Sequence, residues 1–345
     1  MQIEIRTLKV EPQRQTYGHV ARRFGDKPAS RYQEATYDLQ PTANFHYRPT
    51  WAPEFEIYDT RRTQVRMADW YALKDPRQFY YGAYVTARAR QQEAAEGAFD
   101  LVERRGLLVG LPGEWQERLI AGLLPLRHVE WGANMNNMLC ADYGYGTAIT
   151  QACTFGAMDR LGMAQYLSRI GLALDGNTGI ALERAKIAFL ESAAWQPLRR
   201  LVEDIFVVED WFETFVAQNL VLDGLLYPLV YQHFDTFAAH KLGASLAMLT
   251  DFTQQWQVEH VKWVDAVIRT VAAESAHNQQ LVSTWADHYA ARAQDALRPL
   301  AAVLLDGEAS AAPALDDIAA QFAARLAKLG VQPCATPETI AASQS

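Results

Sequence analysis

From Thr63 almost to the end of the chain, apolar side chains return every three or four positions, the spacing that places them on one face of an α-helix. The pattern predicts helices over 113–124, 127–140, 147–174, 180–200, 201–231, 234–249 and 250–271, then an Ala-rich helix over 274–305 and a last one over 313–329. An earlier helix is predicted from Asp75-Pro76, an acidic N-cap before proline at the first helical position, through Arg105, where Gly106 stops it. The run Asp175-Gly176-Asn177-Thr178-Gly179 reads as a turn, because Gly and Asn accept positive φ. Several of these helices exceed the usual ~11–12 residues. Long helices in series point to an all-α bundle.

The first 62 residues break this pattern. Pro12, Pro28, Pro41, Pro49 and Pro53 are interleaved with Tyr17, Phe24, Tyr32, Tyr37, Phe45, Tyr47, Trp51, Phe55 and Tyr58. Proline at this density forbids long helices, and so many aromatics do not suit a solvated disordered tail. The segment reads as an extended arm lying on a surface, either the chain's own core or a partner subunit, with Tyr47, Trp51, Phe55 and Tyr58 as candidate contacts. The chain therefore divides into an arm (1–62), a helical core (63–305), and a C-terminal helix with a polar, frayed tail (306–345).

Composition narrows the function. Half of the 345 residues are hydrophobic, and 32 Lys and Arg against 40 Asp and Glu leave a formal charge of −8, a poor basis for broad nucleic-acid or anionic-membrane binding. The most apolar stretch, Leu220 to Tyr231, carries Asp223 and Pro228 and falls short of the ~20 residues of a membrane span. Cys140, Cys153 and Cys334 show no metal or redox spacing, and the first residues show no export leader, so the expected compartment is the cytoplasm.

Candidate chemistry is sparse. A helical bundle can hold two metal ions with Glu-x-x-His pairs, whose i and i+3 side chains share a face. Glu274-Ser275-Ala276-His277 is a literal match, but without a second copy a structural role is favoured. His233 and His240 have no Glu three residues before them, and His260 and His288 directly follow Glu259 and Asp287, acids on different helix faces; all four suit hydrogen bonding in the core or at an interface. Cys140 and Cys153 suit buried packing. Phosphate-cradling Gly-rich loops are missing, and Asp142-Tyr143-Gly144-Tyr145-Gly146 reads as a helix break.

Three phrases carry a resemblance: Arg48-Pro49-Thr50-Trp51-Ala52-Pro53-Glu54-Phe55-Glu56-Ile57-Tyr58-Asp59, Asp75-Pro76-Arg77-Gln78-Phe79-Tyr80-Tyr81, and Arg127-His128-Val129-Glu130-Trp131-Gly132-Ala133-Asn134-Met135-Asn136-Asn137. The chain resembles, over roughly residues 1–300, the β subunit of bacterial multicomponent di-iron monooxygenases, the phenol hydroxylases and toluene monooxygenases. The resemblance implies a ferritin-like fold and an (αβγ)2 complex, with the di-iron centre in α and with NADH, FAD and a [2Fe-2S] cluster in a reductase. The reductase and a regulatory protein dock on that complex, and this chain carries no cofactor.

Because α and β look like duplicates, the resemblance also implies vestigial ligand positions. Glu-x-x-His reads here Glu130-Trp131-Gly132-Ala133, and Asp-Glu-x-Arg-His reads Asp251-Phe252-Thr253-Gln254-Gln255. Glu130 survives, while Ala133, Phe252 and Gln255 have lost the ligands; a third ligand helix falls near Asn219–Leu225. Glu130 is then expected in the interior, facing Phe252 and Gln255, in a non-catalytic scaffold subunit. The alternatives are an independent ferritin-like oxidase with a degenerate site around Glu130, Glu274 and His277, and a free-standing helical binding protein.

Overall fold

The computed structural model describes residues 18–25 and 27–332. Pro12, Tyr17, Cys334 and the tail beyond Gln332 lie outside the described residues. Among the described residues there are helices and no strands. After two short helices in the arm, α1 (Gly18–Phe24) and α2 (Arg31–Thr36), come α3 (Tyr81–Arg104), α4 (Gly113–Arg118), α5 (Leu126–Tyr143), α6 (Thr147–Asp175), α7 (Ile180–Glu191) and α8 (Gln196–Ile205). Next, α9 (Trp211–Phe215), α10 (Asp223–Pro228) and α11 (Asp235–Leu242) are joined without a break by π-helical turns at Val216–Leu222 and Leu229–Phe234. Helices α12 (Ser245–Glu274), α13 (Ala276–Leu304) and α14 (Glu308–Lys328) complete the all-α bundle.

Local chemistry explains where the helices depart from the apolar period. Asp75 does not cap a helix. Its carboxylate accepts from the Arg77 backbone N–H and guanidinium, both at 2.9 Å, and the chain turns at Gln78 with φ +53° before α3 begins. The helix expected over 180–200 is split, with Ser192 closing α7 and Pro197 seated at the start of α8. Asp210 caps α9 by accepting from the backbone N–H groups of Phe212 and Glu213 at 2.9 and 3.2 Å. Pro228 stays inside the 211–242 run, beside a turn of wider π pitch, where the ladder already departs from i→i+4 bonding.

The core sits among α5, α6, the 211–242 run, α12 and α13, around the fully buried Trp195, Trp211, Trp256, Trp263, Phe212, Phe215 and Phe234. α5 and α6 are an antiparallel hairpin: Asn134 Nδ2 donates to Ala157 O at 2.8 Å, and Asn137 lies beside Gly156. α14 packs on α13 and α10, where the absence of a side chain on Gly224 lets the Phe322 ring approach.

Part of the arm lies on the chain's own core. Tyr37 stacks on Tyr71 at 5.5 Å, Phe24 meets Tyr37 edge-on at 5.0 Å, and Gln40 accepts from the Gly146 N–H at 2.6 Å. Farther along, Tyr47 and Trp51 point outward, 83% and 71% exposed.

Candidate functional site

The interior polar centre draws one group of residues from each of four helical stretches: Glu130 from α5, Arg160 from α6, Gln218, Asp223 and Tyr227 from the 211–242 run, and Trp256 and His260 from α12. All are buried. The Arg160 guanidinium donates to Glu130 Oε2 at 3.1 Å, to Asp223 Oδ2 and to the Tyr227 hydroxyl. Tyr227 donates to Glu130 Oε1 at 2.7 Å. Gln218 donates to Asp223 Oδ1 and accepts from Asn136, both at 2.9 Å. The guanidinium lies 4.5 Å from the Trp256 ring centre and 5.2 Å from that of Tyr227, a desolvated cation–π contact with each. His260 stacks on Trp256 at 4.2 Å. Its Nε2 is 3.4 Å from Asp223 Oδ2, near enough to feel its charge but not aligned for a hydrogen bond, and neither ring nitrogen has a hydrogen-bond partner.

Burial disfavours every charge here, and the partners decide the outcome. Desolvation pushes the Glu130 carboxyl up, with Arg160 and Tyr227 offsetting part of the rise. Asp223 feels the same burial, but the Arg160 charge and the Gln218 hydrogen bond outweigh it and hold its carboxyl below the ordinary value. Burial, aided by Arg160, takes His260 down to about 3, so the imidazole is neutral. The guanidinium, held by Asp223, Tyr227 and Glu130 against its own desolvation, stays charged. On the far side of the same turn, Asp159 accepts from Arg88 through two bonds of 2.8 Å, from Tyr84 at 2.9 Å and from Trp256 Nε1 at 2.7 Å.

The residues singled out in the sequence separate. Glu130 is interior, 2% exposed, and Ala133 is buried one turn farther along α5. Phe252 and Gln255 do not face them, which corrects the expected register. Phe252 is half-buried against Tyr166, at 5.0 Å, and lines an outer groove with Ala94, Ala95 and Ala98. Gln255 is exposed and donates to Asp251 at 2.7 Å. The buried stripe of α12 is Leu249, Thr253, Trp256, His260, Trp263 and Val267, and burying those large rings turns Phe252 and Gln255 outward.

Glu274 and His277 have structural partners. Glu274 Oε1 accepts from the Ala68 N–H at 2.8 Å, and His277 Nε2 lies 3.1 Å from Gln64 O. They fasten residues 64–68 to the α12–α13 junction. Cys140 donates to Trp211 O at 3.3 Å, and burial raises its thiol. Among the described residues, no group of three or more His, Cys, Asp or Glu is placed to hold a metal ion.

A second feature is external. Trp131, Met135 and Met138 of α5 are exposed at i, i+4 and i+7, and Met158 and Leu161 are exposed on α6. The antiparallel pairing that joins Glu130 to Arg160 sets the two rows side by side. Phe206, which meets Trp131 edge-on at 6.5 Å, and Val207 extend the surface beyond α8. Between Arg127 and Asp142 on α5, and over 147–168 on α6, the charged side chains are Glu130, Asp159 and Arg160, and all three are buried. The face is thus uncharged and rich in large apolar side chains, with Gln165 as an exposed polar residue on the same stripe of α6, the type that marks an interaction surface. Of the arm contacts, Tyr47 and Trp51 are exposed; Phe55 packs 4.7 Å from Arg62, itself 4.4 Å from Tyr143, and Tyr58 meets Phe45 at 5.9 Å.

The family profile described as "Methane/Phenol/Alkene Hydroxylase" matches residues 51–275. The chain belongs to this hydroxylase family. It is 54% identical over 332 residues to "Phenol 2-monooxygenase, oxygenase component DmpL" of Pseudomonas sp. strain CF600, spanning 96% of this chain and 99% of that protein. A chain in the crystal structure of xenon-pressurised phenol hydroxylase from Pseudomonas sp. OX1 superposes with a TM-score of 0.90 at 48% identity, over 96% of this chain and 100% of that one. A more distant likeness, 22% over 226 residues, is to the hydroxylase component subunit beta of the toluene-4-monooxygenase system of Ectopseudomonas mendocina, covering 64% of this chain and 68% of that subunit.

Hydroxylases of this family are di-iron enzymes, but the interior of this hydroxylase-family chain does not fit a pair of iron ions. Such a centre takes two Glu-x-x-His pairs and two further glutamates. Here Glu130 is followed at i+3 by Ala133, the centre offers one imidazole, and a guanidinium fills the space between its two carboxylates. Sequence reasoning missed Arg160 and Tyr227; it expected His260 to hydrogen-bond in the core or at an interface, and the residue is in the core with neither ring nitrogen bonded. A signal was present for the first: Asp159-Arg160 is the only charged pair in the otherwise uncharged stretch 147–168, which in a long buried helix requires internal partners.

Proposed function

We propose that this chain is the non-catalytic β subunit of a multicomponent phenol or toluene hydroxylase, working in the cytoplasm. In that complex an α subunit holds the di-iron centre, a small γ subunit completes an (αβγ)2 assembly, and a regulatory protein docks on it. A reductase carrying FAD and a [2Fe-2S] cluster delivers electrons from NADH, and the complex hydroxylates an aromatic ring with O2. The role of this chain is to hold α in its working geometry. The observation that carries the reading is Arg160: a centre whose carboxylates are bound to a guanidinium has no free ligands to offer a metal ion.

The α5–α6 face supplies what a scaffold needs. Obligate interfaces bury on the order of 2,000–5,000 Å² and are rich in apolar side chains, and the exposed Trp131, Met135, Met138, Met158 and Leu161, together with the exposed Trp51 and Tyr47, are side chains suited to one. The independent-oxidase reading requires Glu130, Glu274 and His277 at one ion, whereas these residues bind Arg160, Ala68 and Gln64 in turn.

Co-expression with the partner chains tests the proposal. The complex is expected to co-purify with its iron in the larger partner, and Met135→Asp in this chain to release it. A monodisperse, isolated chain carrying stoichiometric iron that is lost on Glu130→Gln would restore the oxidase reading.

A further inference from the structure

The centre of the bundle already contains a cation. Arg160 touches both Glu130 and Asp223 and lies against the rings of Trp256 and Tyr227. Beside it the buried His260 makes no hydrogen bond through either ring nitrogen, although Nε2 stands 3.4 Å from Asp223 Oδ2. Two carboxylates and an imidazole are donors that suit a divalent first-row ion such as Mn²⁺, Fe²⁺, Co²⁺ or Zn²⁺. Native Arg160 stands between Glu130 and the Asp223–His260 pair, and among the described residues no three donors converge.

We propose that Arg160 acts as an internal replacement for a metal ion: it bars divalent cations from this chain by its charge and volume, and Glu130, Asp223 and His260 become a divalent-cation site when the guanidinium is removed. The inference goes beyond the scaffold role and concerns the interior alone, so it stands or falls whatever subunits this chain joins.

The physical basis is the cost of two buried carboxylates without a counter-ion, which protonation or a captured cation must relieve. Metal–oxygen and metal–nitrogen bonds of about 2.0–2.2 Å are shorter than the charge-assisted hydrogen bonds they replace. Side-chain rotation into the volume vacated by Arg160 is therefore required. The vacancy is bounded by Trp256 and Tyr227, which limit it to a small ion.

The test uses the full-length chain with Co²⁺ as the probe, read by visible absorption, by metal content after desalting and by the melting midpoint. The parent is expected to take up no stoichiometric Co²⁺. Arg160→Ala is expected to take up Co²⁺ stoichiometrically and to melt higher in its presence. Arg160→Lys, which keeps a cation in place, and Arg160→Ala combined with Asp223→Asn are expected to take up none. Arg160→Ala that folds without binding Co²⁺, or that stays unfolded with Co²⁺ as well as without it, overturns the proposal. So does a parent chain whose stoichiometric Co²⁺ is lost on Asp223→Asn.

Discussion

Replacing Arg160 with Met keeps the length of the side chain and most of its contact with Trp256 while removing the charge. Glu130 then keeps Tyr227 and Asp223 keeps Gln218, but neither carboxylate has a cation. Removing one partner from a buried ionic cluster costs about 3–5 kcal/mol. An unfolding entropy of ~2.1 cal/mol/K per residue gives the 345-residue chain about 0.7 kcal/mol/K, so the midpoint at pH 7 should fall by about 4–7 °C. Differential scanning calorimetry of parent and variant measures this directly. The pH dependence sharpens the test. In the parent, Asp223 is held below the ordinary carboxyl value, so its contribution is present above that value and is lost only as pH falls through the depressed one. In Arg160→Met both carboxyls rise, the folded state takes up protons first, and the variant gains relative to the parent as pH falls from 7 toward 5. Adding Glu130→Gln and Asp223→Asn should restore most of the loss, because a neutral network leaves no stranded charge. A midpoint within 1 °C of the parent at pH 7, or a deficit equal at pH 7 and 5, would refute the charge argument.

Glu130→Gln alone should cost about 1 kcal/mol, since the amide can accept from Arg160 and donate to Tyr227, whose hydroxyl has Met163 Sδ at 3.3 Å as a further partner. Turnover of the assembled hydroxylase should stay within a few-fold, and a loss of orders of magnitude with iron full would assign this chain a catalytic part. Trp131→Ala should weaken association with the partner by about 2 kcal/mol, roughly thirtyfold, measurable by interferometry; an unchanged dissociation constant removes α5 from the interface. His260 is held near 3, so only the unfolded chain takes up its proton between about 6.5 and that value, and the parent loses up to ~1.4 kcal/mol per pH unit there. Urea unfolding of His260→Phe from pH 4 to 7 should show a shallower acid slope, and an identical slope counts against the assignment. In a Cys334→Ser background, the buried Cys140 and Cys153 should resist alkylation until the chain is denatured, and rapid labelling of the native protein contradicts their burial.

The bundle was legible because the apolar period survives in nearly every helix, and the ends at Gly106 and Gly176 were legible because both adopt positive φ. The start at Asp75-Pro76 misled because Arg77 competes for the capping carboxylate. The 211–242 run was the least legible. Each π turn inserts an extra residue and rotates everything after it by about 100°, so counting by helical period could not place Asn219–Leu225, most of which lies in such a turn. For the site, the resemblance pointed to Glu130 but chose Phe252 and Gln255 over Trp256 and His260, because matching positions to a motif does not weigh which face of α12 its large rings turn inward. Arg160 was hidden for a related reason. A single basic residue in an apolar helix carries no motif, and its meaning depends on carboxylates 30 and 63 positions away.

The uncharged α5–α6 face has a consequence for the cell that makes the protein. Before assembly, Trp131, Met135 and Met158 meet water or one another, and contiguous apolar surface of this kind promotes aggregation. In the assembly proposed above, a copy synthesised in excess of its partner is an orphan: burial at the interface would stabilise assembled copies by mass action, and unassembled ones would be left to chaperones and proteases. In the proposed assembly, matched dosage of the subunits follows from this surface, and the soluble fraction of the overproduced chain should rise when the partner is produced with it.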